Sequence, residues 1–200
     1  MRCVKFNCTL ILLRGALRYM SYFKFSIKQL VATAIGAAIF FLLARYLSIP
    51  VFANTYLTLQ YAVLGFFAVV FGPITGLLIG LIGHFFVDLS FGWGIWWTWV
   101  VASAFVGFLS GFILKPGAVE NGEFGKGGIV RFVIGCLVVH ALAWGLLAPA
   151  GDVLVYARPA NLVFTQGLIA GAGNFVTTAV VGTLLVLGYS KTRTKSGSLD

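Results

Sequence analysis

The chain has 200 residues, 60% hydrophobic and 10% charged, with a net charge of +9 and a mean hydropathy of +1.01. A soluble domain carries about a quarter charged residues, and so small a globule leaves much of its apolar surface uncovered; the composition therefore excludes a water-soluble protein. The apolar runs are continuous and lack the alternation of a membrane β-barrel, which predicts helices that satisfy their own backbone groups. The expected fold class is all-α integral membrane protein, a single domain of six transmembrane helices.

Residues 1–19 hold Arg2, Lys5, Arg14 and Arg18 around the short apolar run Thr9–Leu13, too short for a secretory signal. They read as a dispensable basic extension, with Met20 opening a second basic start and a membrane domain over 20–190. The first span is predicted at Ile27–Leu47, followed by Ser48-Ile49-Pro50 and a loop at Val51–Thr58. The apolar stretch Leu59–Leu89 would run about 45 Å as one helix, too long for a core of about 30 Å. Gly72-Pro73 divides it, either into two helices or as a re-entrant hairpin. A loop at Ser90–Trp93 leads to a span near Gly94–Leu114, and Lys115–Gly128 reads as a solvated loop. A fifth span is predicted at Ile129–Leu147, a polar loop from Pro149 to Pro159, and a sixth span from Asn161 to Tyr189. Residues 191–200 form a basic tail. With six helices, twelve of the 14 Lys and Arg residues fall on one side and only Arg45 and Arg158 on the other. The positive-inside rule makes the crowded side, with both termini, cytoplasmic. The net charge is then accounted for by topology and lipid headgroups, with no nucleic-acid partner required.

The remaining polar groups gather at the opposite end. Asn54 and Gln60 flank the second helix, His84 and Asp88 end the third, and Trp93, Trp96, Trp97 and Trp99 open the fourth. His140 and Trp144 lie in the outer part of the fifth, followed by Asp152, Tyr156, Asn161 and Gln166. Ionisable groups at membrane depth are costly and face a cavity or each other. His84 and Asp88, spaced i, i+4, share a helix face: they are a structural pair, the wall of an outward-facing pocket, or part of a metal site with His140 as a third ligand. Trp96, Trp99 and Trp144 either belong to an interfacial belt or hold a flat heterocycle stacked between their rings, with convergent polar groups orienting it. The candidate substrate contacts are thus Asn54, Gln60, His84, Asp88, Trp96, Trp99, His140, Trp144, Asn161 and Gln166.

Helix 1 presents small residues four apart: Ala32 with Gly36, Thr33 with Ala37, Ala34 with Ala38. Such faces let helices approach closely, within this bundle or against another membrane subunit. Cys3, Cys8 and Cys136 are scattered, which argues against a disulfide framework or a zinc cluster. No phosphate loop, serine elbow or H-E-x-x-H motif occurs. The expectation is a protein without catalysis, cofactor or resident metal, and any uphill transport would draw its energy from a partner.

The residues that carry a family resemblance are Ser26-Ile27-Lys28 with the Ala/Gly-rich first helix, Asn54-x-x-x-Thr58-Leu59-Gln60-Tyr61, and Phe71-Gly72-Pro73-Ile74-x-Gly76 with Gly80, His84 and Asp88. Ala157-x-Pro159-Ala160-Asn161 and the tail Lys191-Thr192-Arg193-Thr194-Lys195 complete it. Across residues 24–196 the chain resembles the substrate-binding S component of energy-coupling factor (ECF) vitamin transporters, and within them a hydroxymethylpyrimidine- or pyridoxine-type branch. The resemblance implies a six-helix subunit of the bacterial cell membrane that captures a small vitamin outside. It also implies partners, a transmembrane T component and two cytoplasmic ATPase subunits. Docking on the T component would use the helix 1 face of Ala34 and Ala38, with Ala32 and Gly36 one turn around. A stand-alone facilitator or channel, and an intramembrane metalloenzyme using His84, Asp88 and His140, are the competing readings.

Overall fold

The computed structural model of the protein describes Phe23 and residues 25–193; the N-terminal extension and residues 194–200 of the tail lie outside the described residues. Helix α1 (Ile27–Tyr46) opens on a capping box, in which Gln29 Oε1 accepts the Ser26 N–H at 2.7 Å. A short antiparallel hairpin follows, β1 (Ile49–Phe52) and β2 (Thr55–Leu57), with Ile49 opposite Leu57 and Phe52 opposite Thr55. The region expected to be a loop is therefore paired. Its two-residue turn places Asn54 at φ 51, a left-handed conformation that Asn tolerates better than most residues.

Helices α2 (Gln60–Phe71) and α3 (Pro73–Phe91) are separated at Gly72, whose φ of 98 belongs to glycine, with Pro73 at the first position of the next helix. Helix α4 (Trp97–Ser110) starts three residues later and ends four residues earlier than its predicted span. The most extensive helix pairing joins α3 and α4. It is built on glycine: a Cβ on Gly107 would lie 2.0 Å from the Gly76 carbonyl oxygen, and one on Gly80 would lie 2.3 Å from that of Ser103. The two backbones meet with no side chain between them.

The largest departure from expectation is in the fifth helix. Helix α5 runs Lys126–Tyr156 without a break, so the predicted polar loop at Pro149–Pro159 is helical for most of its length. Proline lacks an N–H and its ring collides with the carbonyl four residues back, here Gly145. The chain absorbs both problems in a π-helical turn, Ala143–Leu147, rather than by ending the helix. Helix α6 (Ala160–Lys191) contains a second π turn, Thr178–Gly182.

The described chain is thus all-helical apart from the hairpin. Four helices, α1, α3, α5 and α6, are long and apolar enough to cross a membrane. At 1.5 Å per residue, α2 and α4, with 12 and 14 residues, reach only about 18 and 21 Å. Large apolar side chains ring the outside, among them Leu154 at 84% exposure and Leu168 at 66%, a surface suited to lipid rather than water. At one end Lys28 pairs with Glu120 in the α4–α5 loop, near Lys115 and Lys126. At the other end the hairpin and the α3–α4 and α5–α6 loops close around a cavity.

Candidate functional site

The cavity has a volume of about 250 Å³ and is walled by all the helices that reach that end. Its floor is aromatic. Trp99 of α4 and Trp144 of the α5 π turn lie with ring centroids 5.4 Å apart at 32°, and Tyr61 of α2 meets Trp144 edge-on at 5.2 Å. Trp99 and Trp144 are therefore already in ring contact, and no heterocycle fits between them as their spacing in the sequence suggested. A ligand can only lie on the surface they share. The roof is Phe91 stacked on Trp93 at 4.5 Å and 13°, with Tyr56 of β2 tilted against both. Trp96 closes one side, edge-on to Tyr156 at 4.9 Å.

Two buried carboxylates face this aromatic box. Asp88 accepts the Trp96 backbone N–H at 2.9 Å and lies 3.5 Å from His84 Nε2. His84 Nδ1 in turn bonds Ser103, whose hydroxyl also meets the Tyr61 hydroxyl at 2.7 Å. The i, i+4 pair is thus both structural and part of the cavity wall. Ser103 itself is fully buried and does not line the cavity. Asp152, 2% exposed, accepts the Trp99 indole N–H at 2.8 Å and the Thr98 hydroxyl. Among the described residues neither carboxylate pairs with Lys or Arg. The two outer cations sit on aromatic faces instead: Arg45 over Phe91 at 4.7 Å and Arg158 over Trp96 at 5.6 Å.

Of the ten residues predicted to meet substrate, eight line the cavity: Asn54, Gln60, His84, Asp88, Trp96, Trp99, Trp144 and Gln166. Asn54 does so at the mouth, on the hairpin tip, and Gln166 Nε2 donates to the Ala53 carbonyl at 2.7 Å, tying the hairpin to α6. Two do not. His140 is one turn deeper than Trp144 and 1% exposed; its Nδ1 accepts the Trp144 indole N–H at 2.9 Å, leaving Nε2 to donate to Thr178 at 3.1 Å. It thereby joins the two π turns beneath the floor and lies apart from His84 and Asp88. Among the described residues no three His, Cys, Asp or Glu side chains converge as metal ligands would. Asn161 is exposed, because five residues before Gln166 corresponds to about 140° around the helix. Asp152, Arg158, Tyr61 and Asn174 were not among the expected contacts. Asn174 was within reach, since Gln166, Ala170 and Asn174 form one i, i+4, i+8 stripe and all line the cavity.

The helix 1 small residues also divide. Ala32 and Gly36 face inward, where a Cβ on Gly36 would lie 2.4 Å from the Ile79 side chain, so they serve internal packing and not an outer surface. Ala34 and Ala38 are exposed along an apolar groove between α1 and α3, lined also by Leu30, Phe41, Ile82 and Phe86.

The sequence has counterparts among known proteins. Residues 24–191 match the family described as "ECF-type riboflavin transporter, S component". The chain belongs to that family of ECF S components. It is 50% identical over 177 residues to a UPF0397 protein of Lactococcus lactis subsp. cremoris, covering 88% of this chain and 97% of the relative. Identity to the UPF0397 protein YdcD of Lactococcus lactis subsp. lactis is also 50% over 177 residues, and to a UPF0397 protein of Streptococcus pneumoniae it is 48% over 177 residues. These matches support an S component, a transporter subunit of the membrane rather than an enzyme. They do not support the hydroxymethylpyrimidine/pyridoxine branch, since the family description names riboflavin and the relatives name no substrate.

Proposed function

We propose that this S component captures a small aromatic heterocycle from outside the cell and delivers it to partner subunits that spend ATP. The observation that carries the reading is the aromatic box with its inward carboxylates and amides, at the end of the bundle away from most of the cations. In this reading six helices span or enter the bilayer, both termini are cytoplasmic, and residues 20–190 form the membrane domain. The exposed Ala34/Ala38 groove receives the transmembrane T component, which two ATPase subunits drive.

Cavity size bears on the substrate. Sites for drug-sized ligands run about 300–1,000 Å³, and this cavity, at about 250 Å³, falls below them. That supports a single-ring compound, such as hydroxymethylpyrimidine or pyridoxine, over a three-ring flavin. Charge supports an unphosphorylated one. Arg158 is free of carboxylate partners among the described residues, yet Asp88 and Asp152 share its cavity and would repel a phosphate ester. The test is uptake of radiolabelled hydroxymethylpyrimidine, pyridoxine or riboflavin into proteoliposomes with and without the T component and ATPases. Uptake of a single-ring compound that requires ATP and the partners is the expected result. Uptake by the chain alone would make it a facilitator and overturn the proposal.

A further inference from the structure

The cavity wall holds acceptors that the protein leaves partly unfilled, and that narrows the chemistry of what enters it. Asp88 and Asp152 are both at least nine-tenths buried, both line the cavity, and their partners are the neutral donors of Trp93, Trp96, Thr98 and Trp99 together with His84. Each carboxylate offers about four lone-pair sites, so both keep acceptor capacity that these contacts do not fill. Gln60 supplies an independent sign. It is 6% exposed, lines the same cavity, and its Oε1 is buried with no hydrogen-bond partner among the described residues. A buried acceptor left unpaired is unfavourable, and a buried carboxylate without a cation more so. Several protein donors on this wall are already committed: the Trp99 indole to Asp152, the Gln166 amide to Ala53, and the Trp144 indole to His140. Donors on a ligand can fill the acceptor sites of Asp88 and Asp152 that these contacts leave open.

We infer that the cavity selects a nitrogen heterocycle bearing amino or ring N–H donors, which engage Asp88, Asp152 and the Gln60 amide oxygen while the ring lies on Trp99 and Trp144. A heterocycle whose edge presents only acceptors binds more weakly even when it has the right size. This rests on the binding-subunit reading and specifies what that site recognises.

The experiment is calorimetric titration of the purified full-length chain with two matched probes. One is 4-amino-5-hydroxymethyl-2-methylpyrimidine and the other is the same molecule with a methyl group in place of the amino group. Hydrogen bonds to charged groups are strong enough that the methyl analogue should bind about tenfold or more weakly. Asp88→Asn and Asp152→Asn should each shrink that ratio, whereas Trp99→Ala should weaken both probes alike and preserve it. Wild-type affinities for the two probes within about twofold of each other would overturn the donor inference, and a Trp99→Ala loss for both would then leave the site reading standing. If neither pyrimidine binds the folded wild-type chain, the site reading falls and this inference with it.

Discussion

Replacing His140 tests whether the floor of the cavity is held from below. The imidazole accepts the Trp144 indole N–H at 2.9 Å and donates to Thr178 at 3.1 Å, with both partners at most 1% exposed. His140→Ala removes both bonds and opens a hole between the two π turns. A buried donor left unsatisfied costs about 1–3 kcal/mol, and an interhelical hydrogen bond in a membrane protein averages about 0.6 kcal/mol. Together these give a loss of roughly 2–4 kcal/mol before the cavity term. Because His140 does not line the cavity, weaker ligand binding arises only through a displaced Trp144. His140→Asn separates the two effects, since its Oδ1 stands near the Nδ1 position and still accepts the indole proton. The expected order in detergent melting is wild type above His140→Asn above His140→Ala. Trp144 fluorescence, followed in a chain whose other tryptophans are phenylalanine, should shift in the alanine variant and stay near wild type in the asparagine variant. Equal behaviour of the two variants, or an alanine variant that loses ligand binding with an undisturbed Trp144 spectrum, would refute the positioning role.

Gly107→Ala should lower stability by about 1–3 kcal/mol, because its Cβ would lie 2.0 Å from the Gly76 carbonyl oxygen; an unchanged melting midpoint would show that α3 and α4 do not pack backbone to backbone. Ala38→Leu should abolish partner-dependent uptake and leave ligand affinity near wild type, since the groove and the cavity are separate surfaces; the readouts are transport in proteoliposomes and titration of the isolated chain. Gly36→Leu should instead reduce expression and melting temperature, because that residue faces Ile79 inside the bundle. In a chain whose native cysteines are serine, Glu120→Cys should escape an impermeant maleimide in intact cells and react after lysis, and labelling before lysis would invert the topology.

Much of the helix plan was legible because its punctuation is local. Gly72-Pro73 divided an apolar stretch too long for one span, and the continuous apolar run from Ile27 marked the first helix. Pro149 misled for the same reason that Pro73 informed: proline signals a break, but whether a helix ends or widens into a π turn depends on what packs against it. Here Gly167 lets α6 approach the widened turn, where a Cβ would lie 2.1 Å from the Trp144 carbonyl oxygen. The outer cluster of polar residues was visible from their position along the spans, and eight of the ten residues expected to meet substrate do line the cavity. Depth was not visible. His140 and Trp144 share a face, yet one is below the floor and the other forms it, a difference of about one turn. Asp152 belonged to the outer polar cluster but was not named as a contact; the unbroken helix through Pro149 sets it in the cavity wall, where it accepts the Trp99 indole N–H.

We propose that the cavity holds a single-ring, donor-bearing heterocycle. It is tested most directly by extracting the chain from its native membrane in mild detergent and identifying the bound small molecule by mass spectrometry. One unphosphorylated nitrogen heterocycle per chain is expected, displaced by hydroxymethylpyrimidine or pyridoxine and lost on Trp99→Ala. A flavin or a phosphate ester in that position would contradict it.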